Sequence, residues 1–439
     1  AGTSDAPCPA PEGHGKRRVA RCGVLAGCGA LVLADGSRAP AIAAEFNSQF
    51  QAAVDRACPS SPGPNLSAVC ARIDNDAGPV GSFSAMGSSP DGGRVGGIEE
   101  RLQSLRQSKE EHLRNDGRGV YAANTARQLA QSDALQLPLQ TRPTRDVVFG
   151  LGPGIGAFLS AGASYLSHHN NRFEDGYEAQ LPTVTVGADY RINPWLAAGL
   201  AFNYTNYDGT YDDGGGFDRH IFGPLLYATL TPFQGAFANL VLGYARQENS
   251  NDRFAFVTPE EGPADERIGG RTSADYSADQ YLAGVVAGYD RPFGKVMAGP
   301  RLGLAFSRED YGNIKEEGDT GLELRYSNLD QTSVQSSLGL QASVAFETAH
   351  ALVVPQASAA WVHEYAGSSR NIDAGLVDDS DAVTFSFNRE PPARDWASIG
   401  LGVSGLLDNG LQPFVQFATI QGNRHFVSYG GSVGIRLGL

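Results

Sequence analysis

The sequence predicts an all-β fold, a 12-stranded antiparallel transmembrane β-barrel with a short helical N-terminal segment. Residues 146–439 alternate apolar side chains with small or polar ones, which is the period of β-strands. The alternating segments are about 11–18 residues long, whereas strands of globular sheets commonly have five or six. The chain has no run of 18 apolar residues, but a barrel strand needs only one apolar face.

The last strand shows this alternation most clearly. Apolar residues occupy every second position of this strand: Val427, Tyr429, Val433, Ile435, Leu437 and Leu439, with Gly431 at the remaining position. The interleaved residues are small or polar apart from Phe426. An open sheet edge cannot face lipid, so we expect this strand to close a barrel.

Twelve such segments can be identified, and their connections differ in length. They lie at about 155–168, 178–192, 195–208, 217–232, 235–248, 276–291, 295–309, 330–347, 351–366, 394–407, 411–421 and 425–439. Short connections alternate with mostly longer, acidic ones, such as 249–275, 310–329 and 367–393. This alternation is typical of outer-membrane barrels, with turns on the periplasmic side and loops outside.

Composition and charge restrict the partners. The chain has 439 residues, and 34 basic against 48 acidic residues give a net charge of −14. An acidic chain without a basic stripe indicates that nucleic acid is not a partner. We expect the barrel to contact outer-membrane lipid.

The start of the chain is typical of an exported protein. Three basic residues, Lys16 to Arg18, precede an apolar stretch, and small residues follow near Ala43 and Ala44. This order predicts that residues 1–44 are a signal peptide and its preceding tail. The tetrapeptide that ends at Cys28 also allows a lipoprotein signal.

Residues 45–145 are predicted to form a short helical region between the signal and the barrel. Apolar residues recur at helical spacing over 45–58, 97–114 and 121–135, and a Gly/Ser/Pro-rich loop covers 76–97. Removal of the signal leaves Cys58 and Cys70, an even number in an oxidising compartment. We therefore predict a disulfide, which would stabilise the region by roughly 3 kcal/mol. A zinc site is not indicated, because neither a histidine nor a second cysteine pair accompanies these two cysteines.

The second face of the strands is suited to a wet or plugged lumen. We expect a polar network inside the barrel, formed by Asp189, Arg191, Arg301, Gln335, Gln341, Gln356 and Arg436. A barrel of twelve strands should be just wide enough for one helix. Residues 119–137 are our first choice for a lumenal helix and residues 98–114 the second.

The chain offers few residues for catalysis. His363 and Glu364 would need a second histidine at position 367 for a metalloprotease motif, but that residue is Gly367. Polar residues at the rim could come near one another and act as general bases, but a solvated acidic rim explains them more simply: His168, His169, Asp212, Asp213, Asp218 and His220. We predict no enzymatic activity, no metal and no cofactor.

Two segments carry a resemblance to a known family. The segment from Pro355 to Tyr365, with the sequence PQASAAWVHEY, resembles a strand of the autotransporter (type V secretion) β-domain family, and the likeness extends over about residues 150–439. Its motif residues here are Pro355, Gln356, Trp361, His363 and Glu364. The C-terminal residues Ser432, Gly434, Leu437 and Leu439 resemble the family's assembly signal, although that signal usually ends in an aromatic residue.

The resemblance implies a barrel in the outer membrane of a Gram-negative bacterium. It implies that the barrel anchors and exports its own short N-terminal segment, which would lie in the lumen or at the cell surface. The implied partners are the barrel-assembly machinery and periplasmic chaperones, and we expect a monomer. The alternative is a structural or adhesive surface barrel, or a pore, without a secreted passenger.

Overall fold

A closed barrel of antiparallel strands forms most of the structure. The computed structural model describes residues 44–59, 62–71, 79–81, 154–170, 176–212, 214–257, 268–327, 329–348, 351–366, 371–382, 384–388, 391–407 and 411–437. The barrel strands are β1 Ile155–His168, β2 Tyr177–Asn193, β3 Leu196–Tyr211, β4 Gly216–Leu230, β5 Ala236–Val257, β6 Ile268–Tyr289, β7 Val296–Asp310, β8 Gln331–Val344, β9 Ala351–Glu364, β10 Asp395–Leu407, β11 Leu411–Gln421 and β12 Phe426–Leu437.

Each barrel strand pairs with its neighbours in the chain, and the last strand pairs with the first. The register between β12 and β1 runs from Phe426 opposite His168 to Leu437 opposite Ala157. The sheet therefore has no open edge along the barrel. The prediction of a 12-stranded antiparallel barrel is confirmed.

The two faces of the barrel wall differ as the alternation predicts. Outward-facing leucines and valines are unusually exposed, for example Leu200 at 60% and Leu340 at 66%. Inward-facing polar residues such as Asn203 and Gln280 are fully buried. An apolar exterior and a polar interior are what a wall between lipid and lumen requires.

The two ends of the barrel differ in their connections. At the turn end, the connections are short: the Asn193 side chain accepts a hydrogen bond from the Trp195 N–H at 2.9 Å, and Gly235 and Gly294 adopt positive φ. The loop end carries the longest connections, which span 311–330 and 365–394.

Two helices precede the barrel in the described part of the chain. Helix α1 spans Ala44–Ala57, as predicted, and helix α2 spans Pro64–Cys70 within a segment for which we predicted no helix. Proline suits the first position of α2, because it lacks the backbone N–H that would have no partner there within the helix. Neither helix is long and apolar enough to cross a membrane.

The predicted loops contain more β-structure than expected. The segment 249–275 is mostly a continuation of β5 and β6, which remain paired as far as Val257 and Ile268. Four short strands from the two longest connections form a separate sheet, in the order Ile314–Lys315, Leu324–Ser327, Asn371–Leu376 and Thr384–Asn388. Within the predicted loop 76–97, Pro79–Gly81 pairs with the end of β5.

These elements share one apolar core at the loop end. It combines buried side chains of α1 and α2 with the short sheet and the ends of β5 and β6, including Phe46, Phe50, Leu66, Val257, Ile268, Leu324, Ile372 and Phe387. We call this unit the loop-end cap and define it as the described residues within 44–71, 253–257, 268–274, 311–329 and 371–388. The cap places the N-terminal helices at the end opposite to the short turns.

A glycine between strands offers a test of this packing. A Cβ added to Gly299 would lie 1.7 Å from the carbonyl oxygen of Tyr289. We expect Gly299→Ala to force the backbone apart and to destabilise the barrel by about 1–3 kcal/mol. The measurement is the temperature at which the barrel loses its compact, fast-migrating form on a gel.

Gly405→Ala is the matched control, since the atom nearest to its added Cβ, in Pro413, is 3.6 Å away. Its transition should stay close to that of the wild type. Equal transition temperatures for the two variants would contradict the packing described for Gly299.

Candidate functional site: the lumen and the loop end

Most of the predicted interior residues lie near the turn end of the lumen. Asp189 is buried and accepts a hydrogen bond from the Tyr227 hydroxyl at 2.8 Å. Arg191 follows two positions later on the same face of β2 and is half-buried. Gln356 packs beside Gly402, where a Cβ would come within 2.9 Å of its amide nitrogen.

The predicted interior residues near the turn end form a polar belt, and two of its arginines contact aromatic rings. Arg301 donates to the Gln341 side-chain oxygen at 3.0 Å, pairs with Asp290 and lies 4.4 Å from the centre of the Phe237 ring. Arg436, on β12, lies 4.1 Å from the centre of the Phe414 ring. A guanidinium stacked on a ring stays bound while its remaining N–H groups can face the lumen.

Gln335 is the one predicted interior residue near the loop end. Its amide donates to Ser333 at 3.0 Å and to Glu364 at 3.2 Å. Glu364 also accepts the backbone N–H groups of Val334 and Ala366, at 2.9 and 2.8 Å. Glu364, the glutamate of the motif on β9, thus joins β8 and β9 at the loop end of both strands.

The other motif residues of β9 take positions on both faces. Trp361 is half-exposed on the outer face, and its indole N–H donates to Asp395 at 3.0 Å. The His363 ring lies 2.9 Å from the same carboxylate. Pro355 occupies a position opposite Val403. The tryptophan and histidine therefore belong to the aromatic belt at the membrane boundary, with Asp395 of β10 as their shared partner.

A buried polar cluster at the loop end was missed by the sequence analysis. The Glu309 carboxylate accepts hydrogen bonds from the amides of Gln247 and Gln280, at 3.1 and 3.0 Å, and from the Tyr311 hydroxyl. Glu309, Gln247 and Gln280 are all buried. Their inward-facing positions on predicted strands were visible in the alternation, but their convergence from three strands was not.

The polar residues proposed for the rim do not form one cluster among the described residues. The His168 ring is buried and stacks on Tyr177, at 5.0 Å. His220 pairs instead with Asp218 at 3.0 Å and with Tyr204 at 2.8 Å. Asp212 accepts from Asn170, the His169 N–H donates to the His425 carbonyl, and Asp213 lies outside the described residues. No group of three or more His, Cys, Asp or Glu in the described ranges is placed to hold a metal.

The helices are attached to the loops through specific contacts. Cys58 and Cys70 form a disulfide that joins α1 to α2. The Asp378 carboxylate accepts the backbone N–H groups of Asn65 and Leu66, both at 3.0 Å, at the start of α2. A carboxylate at this position satisfies N–H groups that have no partner within the helix.

A buried ion pair joins the first long loop to the end of β5 within the loop-end cap. Arg253 and Glu316 are each 2% exposed, and the guanidinium donates to both carboxylate oxygens at 2.6 and 2.7 Å. Burial alone would lower the pKa of Arg253, but the neighbouring Glu316 carboxylate outweighs this effect and raises it. Tyr326 donates to the same carboxylate at 3.0 Å, and burial raises the pKa of its hydroxyl.

The residues of the predicted assembly signal lie on the strand that closes the barrel. Ser432 is opposite Gly162 of β1, and Leu437 ends β12 opposite Ala157. A Cβ on Gly434 would lie 2.4 Å from the Phe414 ring, so glycine leaves room for that ring. Leu439 lies outside the described residues, as do residues 1–43 of the predicted signal peptide and both candidate lumenal helices, 119–137 and 98–114. Ala44, the last residue of the predicted signal peptide, begins α1.

The ion pair between Arg253 and Glu316 predicts a large effect of a single substitution. Arg253→Met leaves the Glu316 charge buried without its partner and should destabilise the loop-end cap by about 3–5 kcal/mol. We expect faster amide hydrogen exchange over Leu324–Ser327 in the detergent-solubilised protein. The double variant Arg253→Met/Glu316→Met should recover most of the protection.

Arg271→Met is the control, because Arg271 pairs with Asp252 while 61% exposed, and loss of a surface pair costs under about 1 kcal/mol. If Arg253→Met exchanged as slowly as Arg271→Met, the ion pair would not hold the cap.

Two solved autotransporter domains are similar to this chain. The translocator domain of the autotransporter NalP from Neisseria meningitidis superposes with a TM-score of 0.51 at 14% identity, over 66% of this chain and 91% of that domain. The β-domain of the Bordetella autotransporter BrkA gives a TM-score of 0.48 at 18% identity, over 65% of this chain and 100% of that domain.

No curated protein sequence matches the chain, but one sequence family does. The family described as the autotransporter beta-domain matches residues 157–418, which include β2 to β10 and most of β1 and β11. The chain therefore belongs to the autotransporter β-domain family, whose barrels lie in the outer membrane of Gram-negative bacteria.

Proposed function

We propose that this protein is an outer-membrane translocator that exports its own N-terminal segment and anchors it at the cell surface. Membership of the autotransporter β-domain family supports a translocator barrel. We assign no chemical reaction to the barrel, since moving a chain across it requires a path and an anchor only.

One observation carries the proposal: consecutive parts of the chain lie at opposite ends of the barrel. Helices α1 and α2 and residues 79–81 belong to or adjoin the loop-end cap. The described chain resumes at the turn end, where the Gly154 carbonyl accepts the Arg191 N–H at 2.8 Å. In barrels of this class, loops face outward and turns face the periplasm. A chain delivered from the periplasm must therefore cross the membrane to reach the loop end.

The lumen provides the path for this crossing. Its wall is polar on the inner face, so a polypeptide inside it could keep its backbone hydrogen-bonded, whereas lipid offers no partners. We propose that residues 82–153, which connect the two ends, pass through the lumen. The proposal retains a lumenal helix at 119–137 or 98–114.

An open pore is the weaker alternative. Aromatic side chains of β2, β3 and β4 pack against one another on the lumenal wall near the loop end, namely Tyr177, Tyr207, Tyr211 and Phe217. These side chains and the buried Glu309 cluster pack inside the wall at the loop end. We give the plugged translocator precedence over a general pore because the chain belongs to the autotransporter β-domain family.

The position of α1 tests the proposed export. Gln49 is exposed on α1 and Arg291 is exposed at the turn end. We expect a membrane-impermeant thiol reagent added to intact cells to label Gln49→Cys but not Arg291→Cys. Arg291→Cys should become labelled only after the outer membrane is permeabilised.

Wild-type protein measures the background from its own cysteines. Labelling of Gln49→Cys only in permeabilised cells would show that the segment stays inside, and the export function would be wrong.

A further inference from the structure

We infer that the exported N-terminal hairpin remains docked on the barrel's own loops, so that it forms a fixed part of the cell surface and is not released. We define the N-terminal hairpin as the described residues within 44–71, which comprise α1, α2 and the Cys58–Cys70 disulfide. The inference rests on the proposed export function and adds the fate of the exported segment.

Aromatic packing joins the hairpin to the short sheet. The Phe46 ring of α1 meets the Phe387 ring edge-on at 5.0 Å and the Phe385 ring at 6.2 Å. Phe46, Phe50 and Val54 are completely buried along one side of the helix. Undocking would expose this entire stripe to water, which is strongly unfavourable for side chains of this size.

Polar and backbone contacts fix the hairpin in one position. The Gly63 N–H donates to the Asp378 carbonyl at 2.7 Å, while the Asp378 carboxylate caps the start of α2. From the other loop, Gly321 approaches so closely that a Cβ would lie 2.5 Å from the carbonyl carbon of Asn65, and its φ is +77°. Both long loops therefore hold α2, from two directions.

Within the part of the chain that the structure describes, the hairpin and the short sheet cover each other's apolar side chains. A chain of the hairpin's length is below the roughly 40 residues under which a fold usually needs a disulfide, a metal or a partner. The hairpin has its disulfide, but its buried residues Phe46, Phe50 and Leu66 lie in one core with the loops. The short sheet has strands of two to six residues, and its buried side chains, such as Ile372 and Leu376, belong to the same core. The two parts should therefore fold together, which makes docking the stable state of the exported hairpin.

Docking also changes what the loops can recognise. The apolar sides of the two long loops are occupied by the chain's own hairpin. An external partner would meet the outer surface of the cap, which among the described residues includes the exposed Ser48 and Gln49 of α1.

The test is proteolysis on intact cells. Phe385 points into the shared core, whereas Thr384, one position earlier on the same strand, is exposed. Phe385→Asp should undock the hairpin and raise the rate of trypsin cleavage after Arg56 by about tenfold or more, because cleavage follows the population of the open form. Thr384→Asp should be cleaved as slowly as the wild type. Heat-modifiable gel mobility checks that each barrel is folded.

Two results would overturn the inference. One is wild-type hairpin cleaved as fast as Phe385→Asp, and the other is wild-type hairpin recovered in the medium. Failure of export itself is recognised separately, since Gln49→Cys would then resist labelling on intact cells. In that case the docking inference would fall together with the proposed function.

Discussion

Backbone N–H and C=O groups cannot be left unpaired in a lipid bilayer, and most of this structure follows from that constraint. The pairing of β12 with β1, from Phe426 opposite His168 to Leu437 opposite Ala157, satisfies the last free edge. Once the sheet is closed, alternation sends one set of side chains to lipid and the other to the lumen. The exposed leucines and the buried polar belt are both consequences of this closure.

The closed barrel has two ends, and these differ in structure. The turn end is compact and carries arginines stacked on aromatic rings, as with Arg436 and Phe414. The loop end extends β5 and β6 beyond the belt of aromatic residues and adds a small sheet. An N-terminal hairpin completes that sheet's core, so the family's barrel and a folded loop-end unit are parts of one structure.

The barrel could be predicted from sequence because each strand carries its own periodic pattern. Helix α1 was predictable for the same reason, from the spacing of Phe46, Phe50 and Val54. The loop-end cap was not, since its strands are too short to show a period and their partners are distant in sequence: Leu324 pairs with Leu376. Its sequence context suggests that Glu316 is an exposed acidic residue of a loop. It is buried because it pairs with Arg253, and no local sequence pattern indicates this pairing. Helix α2 was missed because Pro59, Pro62 and Pro64 favour a loop.

Closure between the first and last strands can be tested most directly by a crosslink. Ala161 and Val433 lie opposite each other across the seam, where facing residues are about 4.5–5.5 Å apart, within disulfide range. We predict that Ala161→Cys/Val433→Cys forms a disulfide in membranes and that Ala161→Cys/Ile435→Cys, offset by two residues, does not. Equal crosslinking of both pairs, or none in the first, would contradict the closed twelve-stranded barrel.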